Sequence, residues 1–412
     1  MEKGINGYWV TERDGHVLEI DLDLLKLGGD PSKWKGGAYP KVPHYVNESD
    51  TPPPLFRIID SIEKTIKFRE EHRHVLGHGL LMTGDPKWSV KKTTLGSETG
   101  MHEGLLDYTP VVTFEFGGAS KPKNAPTIFI TSGFHAREWY SQENVLLLIV
   151  HLMGLCAEYD LMHENATKIL QPFITMGLTI VIVPVVNLFG HLITISGEGR
   201  AVRDITPSDV TKAEEKNPAY RRSGSGFPAY SGANSCRCNR TTHPNGVDLN
   251  RNFPTNWGDD KGSSGRMGDD DYRGPSAASE PETQALMKFI EKVKPVWVTD
   301  FHSFGNQILD PGGMFPDKFP QDKKSFQAST WIASKATEVM LHQTKKETTT
   351  LYPVSGSFED WVLFALGAVM LTMELGPDSF AADSLRGQYD KMRIPKRFVE
   401  LITVFFSSCP YL

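Results

Sequence analysis

The chain has 412 residues, of which 39% are hydrophobic and 23% charged, with a net charge of -6. That composition excludes a disordered or collagen-like chain, and the acidic balance argues against a nucleic-acid binder. No apolar run approaches the roughly 20 residues that span a bilayer, and polar and aromatic residues follow Met1-Glu2-Lys3-Gly4 where an export signal would be apolar, so no membrane partner is expected; the chain reads as cytoplasmic unless a signal has been removed.

In chain order, Tyr8–Glu12 and His16–Leu22 flank Asp14-Gly15 and predict a hairpin. Thr51-Pro52-Pro53-Pro54 then breaks the chain, so residues 1–50 read as an N-terminal appendage and 51–412 as the main domain. Leu55, Ile58, Ile59, Ile62 and Ile66 share one helical face. Val111–Phe116 and Pro126–Thr131 read as strands, and Glu138–Cys156 as a helix rich in Leu and Val. Thr179–Val186 is short, apolar and β-branched, as suits a strand buried on both faces. From about 204 to 279 the sequence is polar and aperiodic. A loop region of that length in a compact domain is usually functional. Helix, strand, helix, strand and helix follow at Glu280–Val293, Val296–Phe301, Thr330–His342, Ala368–Met373 and Pro395–Phe406. This alternation predicts an α/β fold, a mixed, mostly parallel sheet covered by helices on both faces. Of the four cysteines, Cys156 reads as a buried thiol, and Cys236 and Cys238 as a loop pair, free or disulfide-bonded; the pairing, including Cys409, is open. The acidic residues Asp259, Asp260 and Asp269–Asp271 read as a solvated loop.

Parallel strands end along one edge, where α/β proteins bind ligands. Three predicted strands lead there to His135, His302 and Glu374. His135 and Glu138 are three residues apart where a strand gives way to a helix, a spacing that lets an imidazole and a carboxylate share a metal ion. Catalytic zinc takes three protein ligands and keeps a position for water, and His302 is a natural third ligand. A carboxylate such as Glu374 at the end of a core strand is costly unless paired or functional; beside zinc it can serve as a general base. Gly246–Phe253 carries Asn250-Arg251, and an arginine fork matches a carboxylate. Taken singly, that pair reads equally as part of a solvated loop.

Together the motifs resemble the zinc metallocarboxypeptidases of the carboxypeptidase A and B type. The matching pieces are His135-Ala136-Arg137-Glu138, Tyr220-Arg221-Arg222, Gly246 to Asn252, His302-Ser303-Phe304, Leu351 to Gly356 with Asp360-Trp361, and Met373-Glu374-Leu375. They occur in the family's order; Tyr220 stands where the family usually has tryptophan, and Phe304 where it has tyrosine. The resemblance implies one zinc per chain held by His135, Glu138 and His302, with Glu374 as general base. It implies that Arg221 stabilises the developing oxyanion, that Asn250 and Arg251 bind the substrate's terminal carboxylate, that Tyr352 closes over the last residue, and that Arg137 lines an outer subsite. The substrates implied are the C-termini of peptides and proteins, and a monomer is expected. In the family the residue seven positions after the lid tyrosine lies at the floor of the specificity pocket; here it is Glu359, with Glu347 also near the pocket and Gly312 and Gly313 leaving the opposite wall open. Two acidic residues there imply a preference for C-terminal Lys or Arg. Two other readings stay open: a zinc amidohydrolase acting on small N-acyl amino acids, and a non-catalytic binding protein on the same scaffold.

Overall fold

The computed structural model describes residues 87–160, 163–195, 223, 246–259, 261–267, 269–309, 323–341, 352, 354–376 and 393–411, with four two-residue strands near the N-terminus. Its centre is a seven-stranded mixed sheet. The strands are β1 (Trp88–Thr94), β2 (Pro110–Phe116), β3 (Thr127–Ser132), β4 (Thr179–Val183), β5 (Trp297–Ser303), β6 (Gln307–Leu309) and β7 (Val369–Leu375). In space they run β6-β7-β5-β3-β4-β2-β1. The inner four, β7, β5, β3 and β4, are mutually parallel. β6 at one side, and β2 and β1 at the other, run antiparallel to their neighbours.

The helices are α1 (Leu95–Thr99), α2 (Trp139–Asp160), α3 (Glu164–Met176), α4 (Leu188–Ile195), α5 (Pro281–Val293), α6 (Lys324–Leu341), α7 (Phe358–Trp361) and α8 (Ile394–Ser408). Successive strand residues point to opposite faces, and this sheet is apolar on both. Ile128 and Ile130 of β3, Ile180 and Ile182 of β4, and Leu371 and Met373 of β7 join a cluster built with α2, α3, α6 and α8. The alternate residues Phe129, Val181, Val183 and Met370 join a second cluster with α1, α5 and α7. Trp297 of β5 anchors the first layer, its ring 4.7 Å from that of Phe405 on α8. Phe129 anchors the second, 5.5 Å from Phe289 on α5. The result is the expected sheet between two helical layers.

Several boundaries differ from the sequence reading. β4 stops at Val183 because Pro184 has no N–H to continue the ladder. The helix expected at Thr330 already starts at Lys324. β1, α3, α4, β6 and α7 had no counterpart in the reading of the sequence. Arg13 pairs with His16 and Glu12 with Val17 in an antiparallel ladder; Asp14-Gly15, where the turn is expected, lies outside the described residues. Trp9-Val10 does not extend that ladder; it pairs with Glu2-Lys3. Cys156 is buried, as expected. The helical face from Leu55 to Ile66, and Arg221, Cys236, Cys238, Gly312, Gly313 and Glu347, lie outside the described residues. Among the described residues no helix is long and apolar enough to cross a membrane.

Candidate metal centre and active site

Three parallel strands deliver the central residues. β3 ends at Ser132, and Gly133 turns the chain with φ +71°. A Cβ there would meet Val185 Cα at 3.1 Å and Gln142 Cγ at 3.2 Å, so the turn favours glycine on both counts. His135 and Glu138 follow in a tight bend before α2, fixed by the Glu138 N–H to the His135 carbonyl at 3.1 Å. Gln142 Nε2 donates to the carbonyls of His135 and Ala136 from the first turns of α2. On β5, His302 lies beside Glu374 of β7 in parallel register. His302 and Glu374 leave the sheet on the same face as Val298 and Met370, the side of α5 and α7.

The side chains of His135, Glu138 and His302 converge, their ligand atoms all within 4.8 Å of one another and all three residues buried. Glu138 sits between the two rings. Its Oε1 is 2.6 Å from His135 Nδ1, and its Oε2 is 2.9 Å from His302 Nδ1 and accepts from the Ser303 N–H at 3.2 Å. Both Nδ1 atoms therefore face inward, and both Nε2 atoms face outward onto carboxylates. His135 Nε2 is 3.3 Å from Asp248 Oδ1, and His302 Nε2 is 2.7 Å from Asp300 Oδ2. Two imidazoles and a carboxylate, aimed at one point and backed by outer carboxylates, are a donor set that fits zinc.

Electrostatics follow from this crowding. Burial alone would lower the His302 pKa, but the Asp300 and Glu138 carboxylates outweigh it and raise it well above the ordinary value in the metal-free chain. Burial would raise that of Glu138, but the two histidines hold it well below the usual carboxylate range. Burial raises Asp300, only partly offset by His302.

Asn250 and Arg251 form a short 3-10 turn, Leu249–Arg251, capped by Asp248, whose Oδ1 accepts the Asn250 N–H at 2.9 Å. Gly356, with φ +69°, lets the following segment press onto this turn; a Cβ there would fall 2.3 Å from the Arg251 carbonyl. Asn250 Nδ2 donates to Glu359 Oε1 at 3.0 Å, and Asn250 Oδ1 accepts the Phe358 N–H. Glu359 Oε1 also lies 3.3 Å from His302 Nε2, so this glutamate is held against the outer edge of the His302 ring and is mostly shielded from solvent. Burial would raise its pKa, but hydrogen bonding and charge from His302 lower it. Arg251 is buried and reaches the exposed Tyr352, Nη2 to hydroxyl 3.5 Å. Arg137 points outward to Asp270, at 3.3 Å.

Next to Glu359, Asp360 is pushed up to about 7 by burial and by the Glu359 charge. The sign follows directly. Between about pH 4 and 7 the unfolded chain has released this proton and the folded chain keeps it, so stability falls as pH rises through that window. The penalty at pH 8 is on the order of 4 kcal/mol. Asp360→Asn is expected to raise the urea midpoint at pH 8 and to change it little at pH 4. Equal shifts at both pH values would show that the ionised carboxylate is not the source.

The family model described as zinc carboxypeptidase matches residues 108–392, more than half of the chain. The chain belongs to the zinc carboxypeptidase family. Human mast cell carboxypeptidase A is 26% identical over 268 residues, 62% of this chain and 52% of that protein, so the chain spans about half of this relative's length. Murein peptide amidase A of Escherichia coli is 33% identical over 141 residues, 31% of this chain and 48% of its own. The crystal structure of thrombin activatable fibrinolysis inhibitor shares the fold, with a TM-score of 0.59 and 19% identity over 96% of this chain and 82% of that one.

Reading the sequence missed Asp248 and Asp300, although Asp248 stands in the Gly246–Asn252 motif and Asp300 in the strand expected at Val296–Phe301. Asp300 precedes His302 by two residues in a strand, which puts both on one face. That spacing was the available signal. Asp248 carried none, because its place depends on how the loop folds back onto His135.

Proposed function

We propose that this chain is a zinc-dependent carboxypeptidase that hydrolyses the C-terminal peptide bond of peptides and proteins. The observation that carries this is the convergence of His135, Glu138 and His302, with Glu374 beside His302 on the next strand. In this reading zinc, held by those three side chains, supplies Lewis acidity to the scissile carbonyl and to water. Glu374 takes the proton from the attacking water. Asn250 and Arg251 bind the terminal carboxylate, Tyr352 covers the last residue, Arg137 contacts an outer residue, and Arg221 stabilises the oxyanion. Release of the last residue from a panel of peptides, with and without a chelator, tests the reading. An N-acyl amino acid belongs in the same panel, because the identity to murein peptide amidase A supports a second reading as a zinc amidohydrolase. Turnover of that compound without peptide cleavage would favour the amidohydrolase. Zinc binding with no turnover at all would favour a binding protein.

The finer proposal is a preference for C-terminal Lys or Arg. Glu359 supports it as a carboxylate with 18% side-chain exposure, set against Asn250; Glu347 would add to the charge. A substrate cation would pair with Glu359, whereas an apolar side chain would bury it without that partner, at roughly 1–3 kcal/mol. kcat/KM is therefore expected to be roughly 10- to 100-fold higher for peptides ending in Lys or Arg than for those ending in Phe or Leu. Glu359→Ile should reverse that ranking. A wild-type preference for Phe or Leu, or an unchanged ranking in the variant, would remove Glu359 as the determinant.

A further inference from the structure

The geometry points to Asp300 as the residue that fixes His302 for metal binding, through the side of the ring that faces away from the site. This rests on the reading of His135, Glu138 and His302 as zinc ligands. An imidazole can give its Nδ1 lone pair to a metal only if the remaining ring proton is on Nε2, and a carboxylate accepting at Nε2 selects that tautomer and makes the ring a stronger donor. His302 Nε2 has two carboxylates within reach. Asp300 Oδ2 is 2.7 Å away and Glu359 Oε1 is 3.3 Å away.

Three observations separate them. Asp300 is fully buried, whereas the Glu359 side chain is 18% exposed. The second oxygen of Asp300 is itself pinned, Thr131 Oγ1 donating to Oδ1 at 2.8 Å from the position opposite in the β3–β5 register. Glu359 Oε1 is instead shared with Asn250 Nδ2. Thr131, Asp300 and His302 thus form a relay of position across two parallel strands. The backbone register of the sheet sets the hydroxyl, the hydroxyl sets the carboxylate, and the carboxylate sets the ring. The same two outer carboxylates with His302 could also suggest a second cation. A cation there would have to replace the Nε2 proton that Asp300 holds, so one metal per chain is the expected stoichiometry.

Asp300→Asn keeps the shape and removes the charge. If the amide turns its NH2 toward Nε2, the ring proton moves to Nδ1 and the lone pair aimed at the metal is lost. If it turns its carbonyl there, the hydrogen bond survives but is weaker.

The test is zinc affinity by competition with a chromogenic chelator, read beside metal content and the melting temperature of the metal-free protein. Asp300→Asn is expected to weaken zinc binding roughly 10- to 100-fold in a variant whose metal-free form still unfolds in one cooperative transition. Thr131→Val, which loses only the brace, should weaken it in the same direction by less. Glu359→Gln should leave zinc affinity close to wild type. The inference is overturned if neither Asp300→Asn nor Thr131→Val weakens zinc binding, if Glu359→Gln weakens it as much as Asp300→Asn, or if wild type holds two zinc ions of which Asp300→Asn loses one. His302→Ala separates this from the reading beneath it: if that variant binds zinc like wild type, the ligand assignment itself fails, and the role of Asp300 falls with it.

Discussion

Stripping zinc from the protein is expected to lower peptide hydrolysis by roughly 10³-fold or more, and adding back about one zinc per chain should restore it. The magnitude follows from the several kcal/mol of transition-state charge stabilisation that a bound Lewis acid supplies, at about 1.4 kcal/mol for each factor of ten. The donor set makes zinc the expected metal: two imidazoles and a carboxylate, all buried, with the Nδ1 atoms turned toward the shared carboxylate. The fold is expected to survive loss of the ion, because both faces of the sheet carry their own apolar clusters. Chelation should therefore abolish activity while the far-ultraviolet circular dichroism stays unchanged. Full activity in protein shown by elemental analysis to lack metal would exclude the proposed chemistry.

The second large effect is expected at Glu374. Glu374→Gln should lower kcat by roughly 10²- to 10⁴-fold, the usual contribution of a positioned general base. KM and zinc content should stay near wild type, because the substitution keeps the side chain's shape and leaves the three ligands, Asn250 and Arg251 unchanged. Register makes the assignment specific. Glu374 lies directly opposite His302, and its neighbours Met373 and Leu375 point into the other helical layer. No other residue of β7 combines a carboxylate with that face. A variant with near-normal kcat would remove Glu374 as the base, and a variant that also loses zinc would assign the residue to metal retention.

The inner strands were legible in the sequence because burial on both faces leaves short, unbroken apolar runs such as Thr179–Val183. His135, His302 and Glu374 were legible because each follows such a run directly. β1 was not, since an edge strand covered on one side reads Trp-Ser-Val-Lys-Lys-Thr-Thr, with only alternate positions apolar. α3 carries Pro172 in its interior, which argues against a helix from local signals; packing of Leu170, Phe173 and Ile174 onto the core overrides it. The direction in which Glu359 points was also beyond the sequence. It depends on Gly356 allowing one segment to lie on the Arg251 carbonyl, a contact between residues a hundred positions apart.

The order of strands in the sheet has a consequence for how the protein acquires its activity during synthesis. Among the described residues β7 is the last strand in sequence, yet it sits between β5 and β6. The ribosome has therefore released His135, Glu138 and His302 before the strand that carries Glu374 exists. A growing chain can gather its metal ligands around β3 and β5, but the gap beside β5 stays open until β7 slides in and pairs along its length. Such distant parallel pairing is slow. A one-residue slip as it forms would send Glu374 to the wrong side of the sheet. On the proposed assignment, metal capture would precede catalytic competence, and bond cleavage would wait until β7 is seated in register.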